Sequence, residues 1–290
     1  MRRVIFTVCL SLWFIGSMAQ EVRDTSYWKK GGLASVSFSQ TSLTNWSGGG
    51  DNNVALNALL NLFANYEKRK ISWENNLKME YGLVKQGDES LRKSIDNIDF
   101  ATKLGIKNGG HWYYSALAQF QTQFDKGYNY PNDVDVVSRF LAPAYITTSL
   151  GMDYKPNDYF SAYLSPLTGK MTIVNDDDLS EMGAFGVDAG DKFRAEFGAF
   201  TKLSFHKDVW ENVNLQTVLD LFSNYSENFG NIDINWEVLF TMKVNKFLTA
   251  NVSTTLKYDD DVDYINKDGV NKGPRIQFKE IIGIGLAYKF

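Results

Sequence analysis

The 290-residue chain has one cysteine, two histidines and five prolines. The cysteine, Cys9, lies in an apolar stretch at the start, so the rest of the chain offers neither a disulfide framework nor a Cys-ligated metal site. With His111 and His206 the only imidazoles, general-base chemistry for a Ser or Cys nucleophile has few places to come from. Basic residues number 30 against 34 acidic ones, a balance that matches nucleic acid poorly. Beyond residue 19 no segment approaches the roughly 18 uninterrupted apolar residues of a membrane helix. That excludes a helical membrane protein but not a β-barrel, whose polar lumen face dilutes the hydropathy signal.

The first residues read as an export signal. Arg2 and Arg3 precede an apolar core at residues 4–15, and Gly16, Ser17, Met18 and Ala19 provide the small residues of a cleavage site. Residues 1–19 are therefore expected to be removed. Cys9 sits in the middle of the core rather than at its end, unlike a lipoprotein cysteine. Removal of Arg2 and Arg3 takes away two of the 30 basic residues and moves the formal charge from −4 to −6.

What the chain does have is a long period of two. From residue 53, Val54, Leu56, Ala58, Leu60, Leu62, Ala64 and Tyr66 alternate with Asn53, Asn57, Asn61 and Asn65. After residues 67–70, Ile71, Trp73, Leu77, Met79, Tyr81 and Leu83 alternate with Ser72, Glu74, Asn76, Lys78 and Glu80, and only Asn75 breaks the apolar side. A strand sends successive side chains to opposite faces, whereas a helix would scatter the second set around its circumference. Each half is roughly 13 residues long, nearer a bilayer-spanning strand than an ordinary soluble one.

The alternation recurs along the chain, giving twelve strands over residues 31–290 behind a periplasmic segment at 20–30. Pro143 predicts a local defect in one strand, and Pro166 and Gly169 a break in the next. Connections near 68, 109, 156, 207 and 246 are short, and those near 46, 90, 132, 183, 228 and 267 are longer. The expected fold is all-β: a transmembrane antiparallel up-and-down barrel with short periplasmic turns and long extracellular loops in a Gram-negative outer membrane. Aromatics fall at both strand ends, as interfacial girdles should: Tyr66, Trp73, Trp112 and Tyr154 near the short turns, Tyr81, Phe100, Phe193 and Phe278 near the loops. Tyr288 and Phe290 resemble the closing signal read by barrel-assembly machinery. A soluble barrel with its apolar face inside is the competing arrangement.

Trp28-Lys29-Lys30-Gly31-Gly32, then Ser42-Leu43-Thr44-Asn45-Trp46-Ser47-Gly48-Gly49, then Trp73-Glu74-Asn75 and Tyr81-Gly82 resemble the opening motifs of a Bacteroidota outer-membrane family known as domain of unknown function 3078. The resemblance implies a cell-envelope location and carries over no catalytic role.

Candidate functional residues lie on the polar phase, expected to face the lumen: Asn53, Asn57, Asn61, Lys78, Glu80, Lys103, Gln119, Gln121, Arg194, Glu196, Asn235 and Glu237. They suit a narrow channel for small solutes, or equally a self-satisfied plug. In the glycine-rich loop, Asn45 and Trp46 are candidates for contact with a ligand or partner. That loop is not a phosphate loop, since no lysine or helix start follows. Residues 259–270 superficially match a calcium loop, but Tyr264 and Val270 occupy the glycine and glutamate positions. No metal, cofactor or catalytic residue is assigned. A narrow channel or transporter is the leading expectation, ahead of a non-catalytic envelope component with an unidentified partner, and then a lipid hydrolase. Outer-membrane lipid and lipopolysaccharide are the expected surroundings.

Overall fold

The computed structural model describes residues 27–43, 51–130, 132–227, 229–245, 248–265 and 271–290. The leader, residues 20–26 of the periplasmic segment, Asn45 and Trp46 lie outside the described residues. Twelve strands run up and down in chain order. They are β1 (Trp28–Thr41), β2 (Asn53–Lys68), β3 (Ile71–Gln86), β4 (Arg92–Gly109), β5 (Trp112–Thr122), β6 (Ala144–Asn157), β7 (Phe160–Ile173), β8 (Phe193–Trp210), β9 (Val213–Asn224), β10 (Asp233–Lys243), β11 (Leu248–Tyr258) and β12 (Gln277–Lys289). Each pairs antiparallel with its chain neighbours, and β1 pairs with β12 to close the sheet. Two short ribbons, Gly127–Tyr128 with Val136–Ser138 and Asp263–Ile265 with Asn271–Pro274, and a helical turn, α1 (Asp177–Glu181), occupy long connections.

The two faces decide the solvent. Leu56, Leu104, Leu150, Leu164, Phe193, Trp236 and Ile284 are exposed on the outer face, while Lys103, Gln119, Ser149, Asp153, Glu196 and Asp220 on the other phase are buried. A soluble barrel with an apolar interior is thereby ruled out, because the apolar phase points outward. Such a surface needs hydrocarbon around it, and the closed ladder is the arrangement that leaves no strand edge there. Two sets of polar groups on the outer face bond within the wall. Trp73 Nε1 donates to Thr102 Oγ1 (2.8 Å), which donates to Asn75 Oδ1 (2.8 Å), and Asn75 Nδ2 donates to Ala64 O (2.8 Å). Asn75, the one break in its strand's apolar side, is thus satisfied within the wall. Trp236 Nε1 and Thr217 Oγ1 repeat the arrangement at 2.9 Å, with the threonine donating to Glu237 O.

Several boundaries differ from the sequence reading. β1 starts at Trp28 rather than 31, because Trp28 packs on Tyr66 and Trp73, with ring centroids 5.2 and 5.6 Å apart. The last three residues assigned to the periplasmic segment therefore belong to the barrel. β4 begins at Arg92, inside a stretch read as loop, since a register shift at Gly82/Leu83 interrupts its alternation. Residues 140–143 are not strand: Leu141 has φ 59° and Pro143 has no N–H to give a ladder, so β6 begins at Ala144. Pro166 does not break β7. A bulge between Leu150↔Leu167 and Met152↔Leu164 absorbs it, and the Ser165 hydroxyl donates to Leu150 O at 2.8 Å. Gly151 sits against this bulge, where a β-carbon would stand 2.1 Å from Leu164 O. β8 runs on to Trp210 through a register shift, so His206 lies in a strand and not in a turn.

Leu150, 59% exposed at the middle of β6, tests the solvent assignment. Leu150→Arg is expected to cost about 2–4 kcal/mol in urea-titrated folding into phospholipid vesicles. Unchanged stability would contradict a lipid-facing position.

Candidate functional site

The polar phases of the twelve strands meet inside the barrel, and their side chains stack in three levels. Nearest the short turns, Lys103 Nζ on β4 lies 2.6 Å from Asp153 Oδ2 and 3.2 Å from Glu74 Oε2. Lys155 Nζ contacts Glu74, and it lies 3.4 Å from Asp153 Oδ2 and 3.2 Å from Ser72 Oγ. Both ion pairs of Asp153 are made by its Oδ2, with Lys103 and with Lys155. Two cations and two carboxylates balance here, which is how charges survive burial.

The middle level crosses the barrel. Lys78 Nζ on β3 meets Glu237 Oε2 on β10 at 2.8 Å and Glu80 Oε2 at 3.1 Å. β3 and β10 stand five strands apart one way round the barrel and seven the other, so this pair spans the lumen. Beside it, Asp99 accepts from Gln119 Nε2 at 3.0 Å and Gln121 Nε2 at 2.7 Å. Lys202 on β8 donates to Gln119 Oε1 (3.4 Å) and to Asp220 Oδ2 (3.0 Å). An apolar cluster of Leu117, Tyr163, Phe200 and Phe222 fills the adjoining lumen wall.

At the outer mouth, Lys170 Nζ lies 2.7 Å from Asp233, 3.3 Å from Asp259 and 3.5 Å from Glu196. Arg194 ties three connections together: its guanidinium donates to Asp261 (2.6 Å) between β11 and β12, to Glu227 (3.0 Å) between β9 and β10, and to Gly186 O (3.3 Å) between β7 and β8. The β7–β8 connection has a small core of its own, in which Val174, Leu179 and Val187 pack with Ala142. Asp176 caps α1, accepting the Leu179 N–H at 3.1 Å while Arg139 donates to its other oxygen at 2.8 Å. The Arg139 hydrogen bond, and after it the Leu179 amide, hold the Asp176 carboxyl below the ordinary aspartate range.

Of the residues expected on the lumen face, Lys78, Glu80 and Glu237 come together, as do Gln119 with Gln121, and Arg194 with Glu196 at 3.5 Å. Lys103 belongs to the lower level. Asn61 Oδ1 accepts from Asn76 Nδ2 (2.9 Å), Asn53 and Asn57 line β2, and Asn235 Oδ1 has no partner among the described residues. Tyr288 and Phe290 stack 5.7 Å apart beside the closing seam, where Gly32 and Phe290 exchange hydrogen bonds of 2.9 and 3.1 Å. The candidate residues omitted Glu74, Asp99, Asp153, Lys155, Lys170, Lys202, Asp220 and Asp233; all but Lys170 and Lys155, the latter read as part of the short turn near 156, sit on readily legible polar phases. Phe200 and Phe222 were missed for a different reason: their apolar character masked a parity that places them with the inward residues.

Residues 38–128 match the family model described as Protein of unknown function (DUF3078). The match runs from the upper part of β1 to the first short ribbon. No curated protein matches the chain. Among solved structures, an outer membrane channel from Pseudomonas putida F1 is similar with a TM-score of 0.41 at 13% identity, covering 93% of this chain and 100% of that one. The translocator domain of autotransporter NalP from Neisseria meningitidis gives 0.39 at 7% identity, covering 100% and 96%. OmpT, an outer membrane protein of Vibrio cholerae, gives 0.31 at 9%, covering 93% and 100%.

Removing Lys78 alone strips both Glu237 and Glu80 of their shared cation, whereas removing Lys78 and Glu237 together leaves only Glu80 without it. The Lys78→Gln/Glu237→Gln double variant is expected to be less destabilised than the sum of the two single variants, with a coupling of roughly 1–3 kcal/mol in urea unfolding. Strict additivity would rule the pair out as an energetic unit. At the mouth, the folded Asp176 titrates below its unfolded value, so its cap is complete above the ordinary aspartate range and is lost as pH falls through the lowered value. Hydrogen-exchange protection of the Leu179 amide is expected to hold down to about pH 4 and drop only below it. Asp176→Asn should remove that acid step, and a drop already near neutrality would be the wrong result.

Proposed function

We propose that this chain is an outer-membrane β-barrel of a Gram-negative bacterium providing a narrow, cation-preferring path for small hydrophilic solutes, closed in the form described. The carrying observation is an asymmetric lumen. On the walls of β4 to β8 the inward side chains are sealed, with Asp153, Tyr163 and Thr168 wholly buried and Leu117 and Gln119 nearly so. On β11, β12, β1 and β2 much of the inward face is small or neutral and only half-buried, as at Ser35, Ser37, Asn57, Asn61, Asn251 and Ser253, with the exposed Lys257 and Lys279 above it. Solvent therefore reaches one side of the interior, and Lys78 with Glu237 crosses it.

The outer mouth supports the charge preference. Lys170 and Arg194 face five carboxylates, those of Glu196, Asp233, Asp259, Glu227 and Asp261. An excess of carboxylates at a constriction raises the local cation concentration. In this reading residues 1–19 are an export leader, the short turns are periplasmic, and the Tyr288-Lys289-Phe290 end is read by assembly machinery. Lipopolysaccharide surrounds the long loops, and no hydrolytic role is assigned. His206 lies in β8 toward the short turns and His111 in the β4–β5 turn, both away from the outer mouth. A second reading, a non-catalytic envelope component that binds a partner, is favoured by one feature: the packed and capped β7–β8 connection presents a shaped outer surface.

Planar-bilayer recordings test the proposal. Wild type is expected to show small, mostly closed, cation-selective events, and Arg194→Ala and Lys78→Gln to increase open time. A folded barrel that stays silent in all three forms supports the partner-binding reading instead.

A further inference from the structure

The barrel seam is incomplete. β1 and β12 form five ladder pairs, from Leu33↔Lys289 to Ser37↔Gly285, and no pair above them. Yet both strands continue. Phe38 to Thr41 of β1 pair only with β2, and Gln277 to Ile284 of β12 pair only with β11. In the same register Phe38, Ser39, Gln40 and Thr41 would oppose Ile284, Gly283, Ile282 and Ile281, and these rungs are not made. The two strands stay close at the foot of the unpaired stretch, where a β-carbon on Gly285 would stand 2.2 Å from Val36 O and one on Gly283 3.0 Å from Ser37 Oγ. The opening spans about 10 Å at the rise of a strand, and its outward lips are the exposed Phe38, Ile282 and Ile284.

Backbone N–H and C=O groups without partners at this depth are costly unless something polar reaches them. The inward lips are small and polar: Ser37, Ser39 and Gly283. Just above, Lys257 and Lys279 project from the inward phases of β11 and β12; Glu80 and Glu237 face them at longer range, but neither lysine is in an ion pair among the described residues, unlike Lys78, Lys103, Lys155, Lys170 and Lys202. Glu280, on the outward phase of β12, is exposed and likewise unpaired. An anion is thus repelled on the membrane side of the seam and attracted on the lumen side.

We propose that the unzipped upper seam between β1 and β12 is a lateral binding slot for a single-chain anionic amphiphile, its head group held by Lys257 and Lys279 in the upper lumen and its acyl chain passing between Phe38 and Ile284 into the bilayer. The slot rests on the outward apolar face of the barrel and not on conduction along its axis. An added β-strand from a partner protein is the competing occupant. Charge decides against it: a peptide would satisfy the backbone edges but gives no use for two free lysines at the head of an apolar gap.

Two measurements on the full chain in amphipol test this. The first compares disulfide formation in Gln40→Cys/Ile282→Cys, across the slot, with Val36→Cys/Leu286→Cys, across the paired part of the seam. Slower closure of the upper pair is expected, because bridging needs Cα atoms within about 7 Å. Equal rates would mean the seam is closed and overturn the slot. The second measures equilibrium binding of oleate, of lysophosphatidate and of uncharged oleyl alcohol. Oleate or lysophosphatidate is expected to bind, which of the two identifying the head group as carboxylate or phosphate. Loss of the charge contacts in Lys257→Gln/Lys279→Gln should weaken that binding about tenfold. Retention of oleyl alcohol as strongly as of both anions, or no effect of the lysine substitutions, would overturn the assignment. So would binding of neither anion, the result expected of a peptide-strand site.

Discussion

In hydrocarbon a backbone amide has no water to fall back on, so each strand must find a neighbour on both sides, and the sheet must return on itself. That requirement explains why β1 meets β12, why Trp28 is drawn into the wall beside Tyr66 and Trp73, and why Gly32 and Phe290 exchange two hydrogen bonds at the end of the chain. It also gives the unmade rungs above Ser37↔Gly285 their weight. A free edge is ordinary at a loop and expensive beside lipid.

Closure fixes a second consequence. Once the apolar phase is turned outward, every charged side chain of the other phase is confined to a shared interior, where it must be paired or reach water. The three levels of ion pairs answer this on one side. Lys103 with Asp153, Lys202 with Asp220 and Lys78 with Glu237 let the lumen hold charge while the Leu117, Tyr163, Phe200 and Phe222 cluster excludes solvent beside them. The opposite wall is lined largely by serine, glycine and asparagine, and its Lys257 and Lys279 form no ion pair among the described residues. The proposed axial path and the proposed lateral slot both lie along this weakly filled wall.

The outer mouth is organised differently. Apart from two short ribbons, its connections are held by one guanidinium and by a capped helical turn. A few polar contacts open at lower cost than a sheet does. The loops around Arg194 are therefore where the barrel can change shape without losing its fold.

Parity along the chain was enough to establish strands, their number, the short and long connections and the polar phase, because alternation is a local property that each strand states for itself. Even Phe200 and Phe222 carried an inward parity, although their side-chain type argued otherwise. Where alternation is interrupted, local reading failed. The bulge that absorbs Pro166, the early start of β4 and the extension of β8 through His206 are settled by the neighbouring strands, which hold a register across the irregularity. Which charges meet was also beyond reach of the sequence, for Lys78 and Glu237 are 159 positions apart. Only closure of the ring brings them to 2.8 Å, and only closure shows that the ring stops short.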